Sequence, residues 1–236
     1  MIKFFRKIRQ NLLTENKFSK YLMYAIGEII LVVIGILIAL SINNWNEWKK
    51  ERVKEREILI GLVANLEINI KTIESDIENF HLLDKSSETV LSTINNKQPY
   101  TDTLAHHFHI ARIPKQELFL AQTGYEEYKD VGLHILTNKN LKNEVLNLFE
   151  TVFPKFLSNY RMVNEFNSDF DNHVVQNFIY KDHYLEPINY QNLLTDHYYI
   201  SWIRAYKEGR ITLIQMEREL LQETKRVLQI LRDELK

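Results

Sequence analysis

The feature that most constrains this chain is a long apolar stretch near its N-terminus, residues 24–42. The twelve residues at its centre are all apolar or glycine. Nineteen residues of α-helix rise roughly 28 Å, which is close to the hydrocarbon thickness of a bilayer. The buried helix of a soluble protein usually keeps a polar stripe, and here only Glu28 and Ser41 interrupt the apolar character. The stretch therefore predicts one transmembrane helix, which we place at residues 24–45.

The distribution of charge predicts how this helix is oriented. The net charge of −1 conceals a charge of +5 on residues 1–23 and of −5 on the residues after Glu28. Segments rich in Lys and Arg stay in the cytoplasm. We therefore expect an inner-membrane protein with residues 1–23 in the cytoplasm and residues 46–236 in the periplasm.

Residues 1–23 also have the pattern of a basic amphipathic helix. Phe5, Ile8 and Leu12 fall on one helical face among basic residues, so the segment is expected to lie on anionic membrane lipid. The alternative is that it is only a charged flank of the anchor. Because the basic residues are not concentrated in the folded part, no nucleic-acid partner is expected.

Two features inside the anchor suggest roles beyond insertion. Gly27, Gly35 and Ala39 lie on one helical face, where small residues let two helices approach closely. That face predicts helix packing, although glycine is common in membrane helices. Glu28 is an intramembrane acid and so a functional hypothesis; the alternative is that it reaches the headgroups or pairs with a basic group.

The anchor carries a specific resemblance. The stretch IGEIILVVIGILIALSINNWNE, with a second segment at residues 124–150, resembles an uncharacterised family of single-pass membrane proteins from Bacteroidota, catalogued as a domain of unknown function. The resemblance implies an inner-membrane location in a Gram-negative cell. It identifies no catalytic residues.

The remainder of the chain predicts an all-α fold, a bundle of long helices that follows the membrane helix. Only 6 glycines and 4 prolines occur, fewer than strands bounded by turns would require. Apolar residues from Leu59 to Phe80 follow a heptad spacing, widened by Ile58, Leu62 and Ile68, which predicts a long helix packed in a bundle.

Turn and cap signals divide the part after residue 95 into shorter helices. The expected helices run from Thr101 or Asp102 to Arg112, from Pro114 to a C′ glycine at Gly132, and onward from Thr137 or Asn138. An aromatic stripe at helical spacing then runs from Phe149 to Phe178, with a kink or break expected at Pro154. A loop at 182–189, a helix ending near Gly209 and a last helix over residues 211–235 complete the prediction.

The candidate chemistry is a histidine cluster formed by His106, His107 and His109. One helix can supply two convergent metal ligands at most, so His81, His134 or Glu117 would have to complete a site. The sequence contains no HExxH, GxSxG or phosphate-loop pattern, and the absence of cysteine excludes thiolate chemistry. We therefore expect no metal, no cofactor and no catalytic residue.

These observations favour a membrane-anchored periplasmic module that binds or scaffolds other envelope components, without catalysis. Its expected partners are membrane lipids and either a second copy of the chain or another envelope protein. One alternative is a sensory or ligand-binding bundle, which needs a polar-lined internal cavity. The other is a metal-dependent hydrolase that uses the histidine cluster.

Overall fold

The structure, a computed structural model, describes residues 18–113, 118–163 and 168–236, and it confirms the all-α class. A short antiparallel hairpin of strands β1 (Phe178–Lys181) and β2 (Tyr184–Pro187) accompanies the helices. The helices are α1 (Phe18–Asn95), α2 (Asp102–Ala111), α3 (Thr123–Val131), α4 (Lys139–Asn147), a π-helical turn (Leu148–Val152), α5 (Phe153–Val163), α6 (Ser168–Asn177), α7 (Tyr190–Leu193) and α8 (His197–Glu234).

The chain divides into two compact units, residues 1–55 and 56–236. In the first unit, the apolar part of α1 is a candidate membrane span with a mean hydropathy of 2.8 and no buried residues. A Cβ atom added at Gly27 or Gly35 would meet no atom within 4 Å, and Ala39 is exposed as well. The small-residue face is therefore open, as close helix packing would require. Of the predicted amphipathic segment, residues 1–23, the first 17 residues lie outside the described part of the chain, and the rest belong to α1.

The second unit is built on two hydrophobic clusters. The first cluster joins α1 to α3, α4, α5 and α8, and it buries the predicted heptad positions Leu59, Leu66 and Phe80. Ile68 is 52% exposed, so the prediction that it widens the buried stripe is wrong. The second cluster joins the end of α1 to α2, α6, the hairpin and α8, with Phe108, Phe170 and Tyr199 fully buried.

A ladder of side-chain amides on α1 holds the segment that leads into α3. Asn69 Nδ2 donates to the carbonyl oxygen of Ala121 at 3.0 Å, and its Oδ1 accepts from the Ala121 amide at 2.6 Å. One turn earlier, Asn65 Oδ1 accepts from the Gly124 amide at 2.7 Å. Residues 118–122 form no helix, and α3 begins at Thr123. The prediction of a helix that starts at Pro114 is therefore wrong for residues 118–122. Residues 114–117 lie outside the described part of the chain.

Several predicted helix ends are confirmed. Thr101 is the N-cap of α2, Gly132 is the C-cap residue of α3 with a φ of 110°, and Asn138 caps α4 by accepting from two backbone amides. The predicted disturbance at Pro154 takes the form of a π-helical turn that ends directly before α5.

Three other boundaries differ from the prediction. The aromatic stripe leaves the helix at Phe178, which begins β1, and the expected loop at 182–189 contains β2. The reversal is made by Asp182 and His183, whose φ angles of 38° and 73° match the two-residue turn of a β-hairpin. Helix α8 also continues through Gly209, because buried residues on both sides of the glycine pack on α1 and outweigh its cost of about 1 kcal/mol.

Candidate functional site: a groove between α2 and the β-hairpin

Helix α2 presents its histidines at the edge of the second cluster. Leu104, Ala105, Phe108 and Ala111 form the buried face of this helix. The 3.6-residue period of the helix therefore turns His106 and its neighbours away from the core. Strand β2 of the hairpin packs beside α2, which brings a second set of polar and aromatic side chains to the same place.

Together α2 and the hairpin form an open groove of about 640 Å³. Aromatic rings line it on both sides, with the ring centroids of His106 and Tyr184 lying 5.8 Å apart. Tyr100 contributes a further ring, which packs against Tyr190 at 5.4 Å. The groove is lined by Tyr100, Asp102, Thr103, Ala105, His106, His107, Tyr184 and Glu186.

Two carboxylates, Asp102 and Glu186, line the groove. Burial raises the pKa of the Tyr100 hydroxyl, and the negative charges of Glu186 and Asp102 raise it further, whereas Lys181 lowers it. Glu186 accepts a hydrogen bond from Lys181 at 2.6 Å across the hairpin. The groove therefore has one carboxylate from α2 and one from β2, and the second is paired with the Lys181 ammonium.

Two of the three histidines of α2, His107 and His109, have lowered pKa values. Burial lowers the pKa of His107, as do the neighbouring His106 and Lys85, and His107 Nδ1 lies 3.2 Å from Ser86 Oγ. Burial also lowers the pKa of His109, with further contributions from Arg112, His183 and His106. Both imidazoles are therefore neutral near pH 7.

The three histidines of the predicted cluster point to different neighbours. His106 lies against Tyr184, His107 reaches Ser86, and His109 packs on Tyr180 and on His183, at centroid distances of 5.5 and 6.0 Å. Over residues 18–113, 118–163 and 168–236, no three His, Asp or Glu side chains converge as metal ligands would. Glu117 lies outside these ranges.

A buried arginine anchors the end of α2. Arg210 of α8 is only 4% exposed. Its guanidinium donates to the carbonyl oxygen of Ala111 at 2.5 Å, to Ser87 Oγ at 2.6 Å and to the carbonyl oxygen of Leu83 at 3.2 Å. Burial lowers its pKa to about 10, partly offset by Asp84 and Tyr206, so it remains charged at neutral pH. Arg210 thus binds the last carbonyl of α2 to both long helices.

Sequence reasoning identified only the α2 side of this site. Tyr184 and Glu186 fall in the stretch predicted to be a loop, and nothing in the sequence marks Arg210, because arginine is rarely buried. The signal that could have located the hairpin is the Asp182–His183 pair between two short aromatic runs, but it lacks the glycine that usually marks such a turn.

Comparison with known proteins finds a similarity to one family, whose function is unknown. Residues 28–116 match a family described as Family of unknown function (DUF6090), so the chain is similar to an uncharacterised family over that range. The range contains the three histidines of α2 and ends before the segment at 124–150. No curated protein and no solved structure matches. The source in Bacteroidota and the single-pass anchor remain predictions.

Proposed function

We propose that this protein is a single-pass membrane protein whose helical bundle binds or scaffolds other envelope components without catalysing a reaction. Residues 24–45 cross the inner membrane of a Gram-negative cell, with the N-terminus in the cytoplasm. Residues 46–236 lie in the periplasm. Membrane lipids surround the anchor, and a second copy of the chain or another envelope protein binds the module.

The observation that carries the membrane location is the exposure of the apolar part of α1. Side chains such as Leu31 and Ile29 are 70% and 63% exposed, in a helix whose apolar window has no buried residue. Contiguous apolar surface of this extent is typical of a surface covered by lipid or by another protein. A helix also satisfies its own backbone hydrogen bonds, as a lipid environment requires.

The packing of the second unit supports a binding role. Large aromatic side chains, among them Tyr128, Phe153 and Tyr160, fill the interior of the first cluster. The second candidate, a ligand-binding or sensory bundle, needs a polar-lined internal cavity, whereas the groove between α2 and the hairpin lies at the surface. The hydrolase alternative has the least support, because the imidazoles of α2 point to different neighbours.

The orientation can be tested with reporters fused after Lys236. A reporter that is active only in the periplasm should be active there, because the +5 charge of residues 1–23 holds the N-terminus inside. Activity of a cytoplasm-only reporter at the same position would contradict the proposal. Changing Lys3, Arg6, Lys7 and Arg9 to Glu should weaken the preference.

The scaffolding role can be tested by crosslinking in intact membranes, followed by affinity isolation and mass spectrometry. The wild-type chain should capture copies of itself or defined envelope proteins. Gly35→Leu should reduce any association made through the anchor by roughly 1–2 kcal/mol, because leucine blocks close backbone approach. Insertion should survive, since leucine is favourable in the bilayer.

Val33→Leu is the matched control, since it enlarges a residue on a different face of the same helix. It should leave the crosslinking pattern unchanged. If the wild type and Gly35→Leu associate equally, the small-residue face is not the contact, and any oligomer must be held together by the soluble bundle. A chain that captures no partner at all would contradict scaffolding.

A further inference from the structure

We propose that the groove between α2 and the hairpin binds an aliphatic diamine or polyamine, with one ammonium group at Asp102 and another at Glu186. The inference rests on the proposed function in that the groove is taken as a binding site of the module. It adds the chemical class of the ligand.

The shape of the groove fits a small flexible molecule. Its volume of about 640 Å³ lies within the range of small-molecule sites, and it is open along one side. The rings of Tyr100, His106 and Tyr184 present aromatic surface to whatever lies in it. Aromatic faces attract cations and also pack well against methylene groups.

The two carboxylates that line the groove favour a cationic ligand. Asp102 lies in the first turn of α2 and Glu186 on β2, so the two carboxylates come from opposite walls. His107 is neutral near pH 7 and does not oppose a positive ligand. Carboxylates repel an anionic ligand, and a neutral ligand cannot form an ion pair with them.

The hairpin already shows the expected interaction. The ammonium group of Lys181, on an aliphatic stem, donates to Glu186 at 2.6 Å. The Lys181 side chain is 58% exposed, and an exposed ion pair contributes little free energy, so a ligand ammonium can replace it at small cost. Since one carboxylate comes from α2 and the other from β2, a chain with an ammonium group at each end can pair with both.

The experiment is isothermal titration of the full-length protein in nanodiscs of zwitterionic lipid, which do not themselves attract polyamines. Cadaverine, an aliphatic diamine, should bind saturably, and binding should weaken as salt is raised. Pentanediol, which has the same carbon chain but no charge, should not bind. Empty nanodiscs provide the baseline for both titrations.

Variants at the walls of the groove assign the binding. Asp102→Asn and Glu186→Gln should each weaken cadaverine binding roughly tenfold, because each removes a charge-assisted hydrogen bond. Lys181→Ala should strengthen binding, since it removes the internal competitor. Glu208→Gln, on an exposed position of α8 outside the groove, makes the same change of charge and should have no effect.

The inference fails if cadaverine does not bind, if pentanediol binds equally well, or if the Asp102 and Glu186 variants bind like the wild type. These outcomes are independent of the proposed scaffolding role. If crosslinking captures partners but cadaverine does not bind, only the proposed ligand is wrong. Diamine binding without captured partners would overturn scaffolding and leave the groove as the ligand site of a sensory bundle.

Discussion

Replacing Arg210 by alanine is expected to destabilise the second unit by about 3–4 kcal/mol, because truncation leaves buried hydrogen-bonding groups unsatisfied. The guanidinium serves the carbonyl oxygens of Ala111 and Leu83 and the hydroxyl of Ser87 at once. Thermal unfolding followed by circular dichroism should show a midpoint lowered by about 6–15 °C. Amide hydrogen exchange in α2 should rise with it, since the last carbonyl of that helix loses its donor.

Arg218→Ala is the matched control for this experiment. Arg218 is on the same helix and exposed, so its truncation should change stability by less than about 0.5 kcal/mol. Equal stabilities of the two variants would show that the buried guanidinium costs as much in desolvation as it gains in hydrogen bonds.

Replacing Gly124 by alanine is expected to destabilise the protein by about 2–3 kcal/mol, because the new methyl group has no room. A Cβ at this position would lie 2.5 Å from the carbonyl oxygen of Gly61 and 3.1 Å from the amide nitrogen of Leu62. Both atoms are backbone, which cannot rotate away as a side chain can. Helix α3 would have to move, and the hydrogen bond from Gly124 to Asn65 would lengthen or break.

The facing glycine gives a control with the opposite sign. A Cβ at Gly61 would meet only the Cα of Gly124, at an ordinary contact distance of 3.8 Å. Gly61 lies inside α1, where alanine is favoured over glycine by about 0.5–1 kcal/mol. Urea unfolding should therefore show Gly61→Ala at or above wild-type stability and Gly124→Ala well below it. Similar losses for both variants would contradict the asymmetric contact.

The parts of the fold that the sequence predicts correctly depend on local or periodic signals. The apolar stretch around Gly35 is recognisable by its length, and the heptad spacing from Leu59 to Phe80 by its period. The caps at Asn138 and Gly132 are likewise properties of a few adjacent residues.

The parts that escape prediction depend on distant partners. The start of α3 is set by Asn65 and Asn69, which lie more than 50 residues earlier in the chain. The α2 wall of the groove was marked by its histidines, but the opposite wall depends on a turn without glycine. Arg210 resembles any surface arginine until the fold surrounds it.

The π-helical turn at Leu148–Val152 has a consequence for comparing relatives of this chain. The amide of Phe153 bonds to the carbonyl oxygen of Leu148, so this turn contains one residue more than an α-helical turn. The wider turn lets the adjacent residues Phe149 and Glu150 both reach Tyr125, one by ring stacking at 4.4 Å and the other by a hydrogen bond at 2.6 Å. A relative with a one-residue deletion here would have a regular helix but would lose this double contact. In an alignment of relatives, we therefore expect one-residue gaps to fall at this turn, and we expect relatives with such a gap to carry another residue in place of Tyr125.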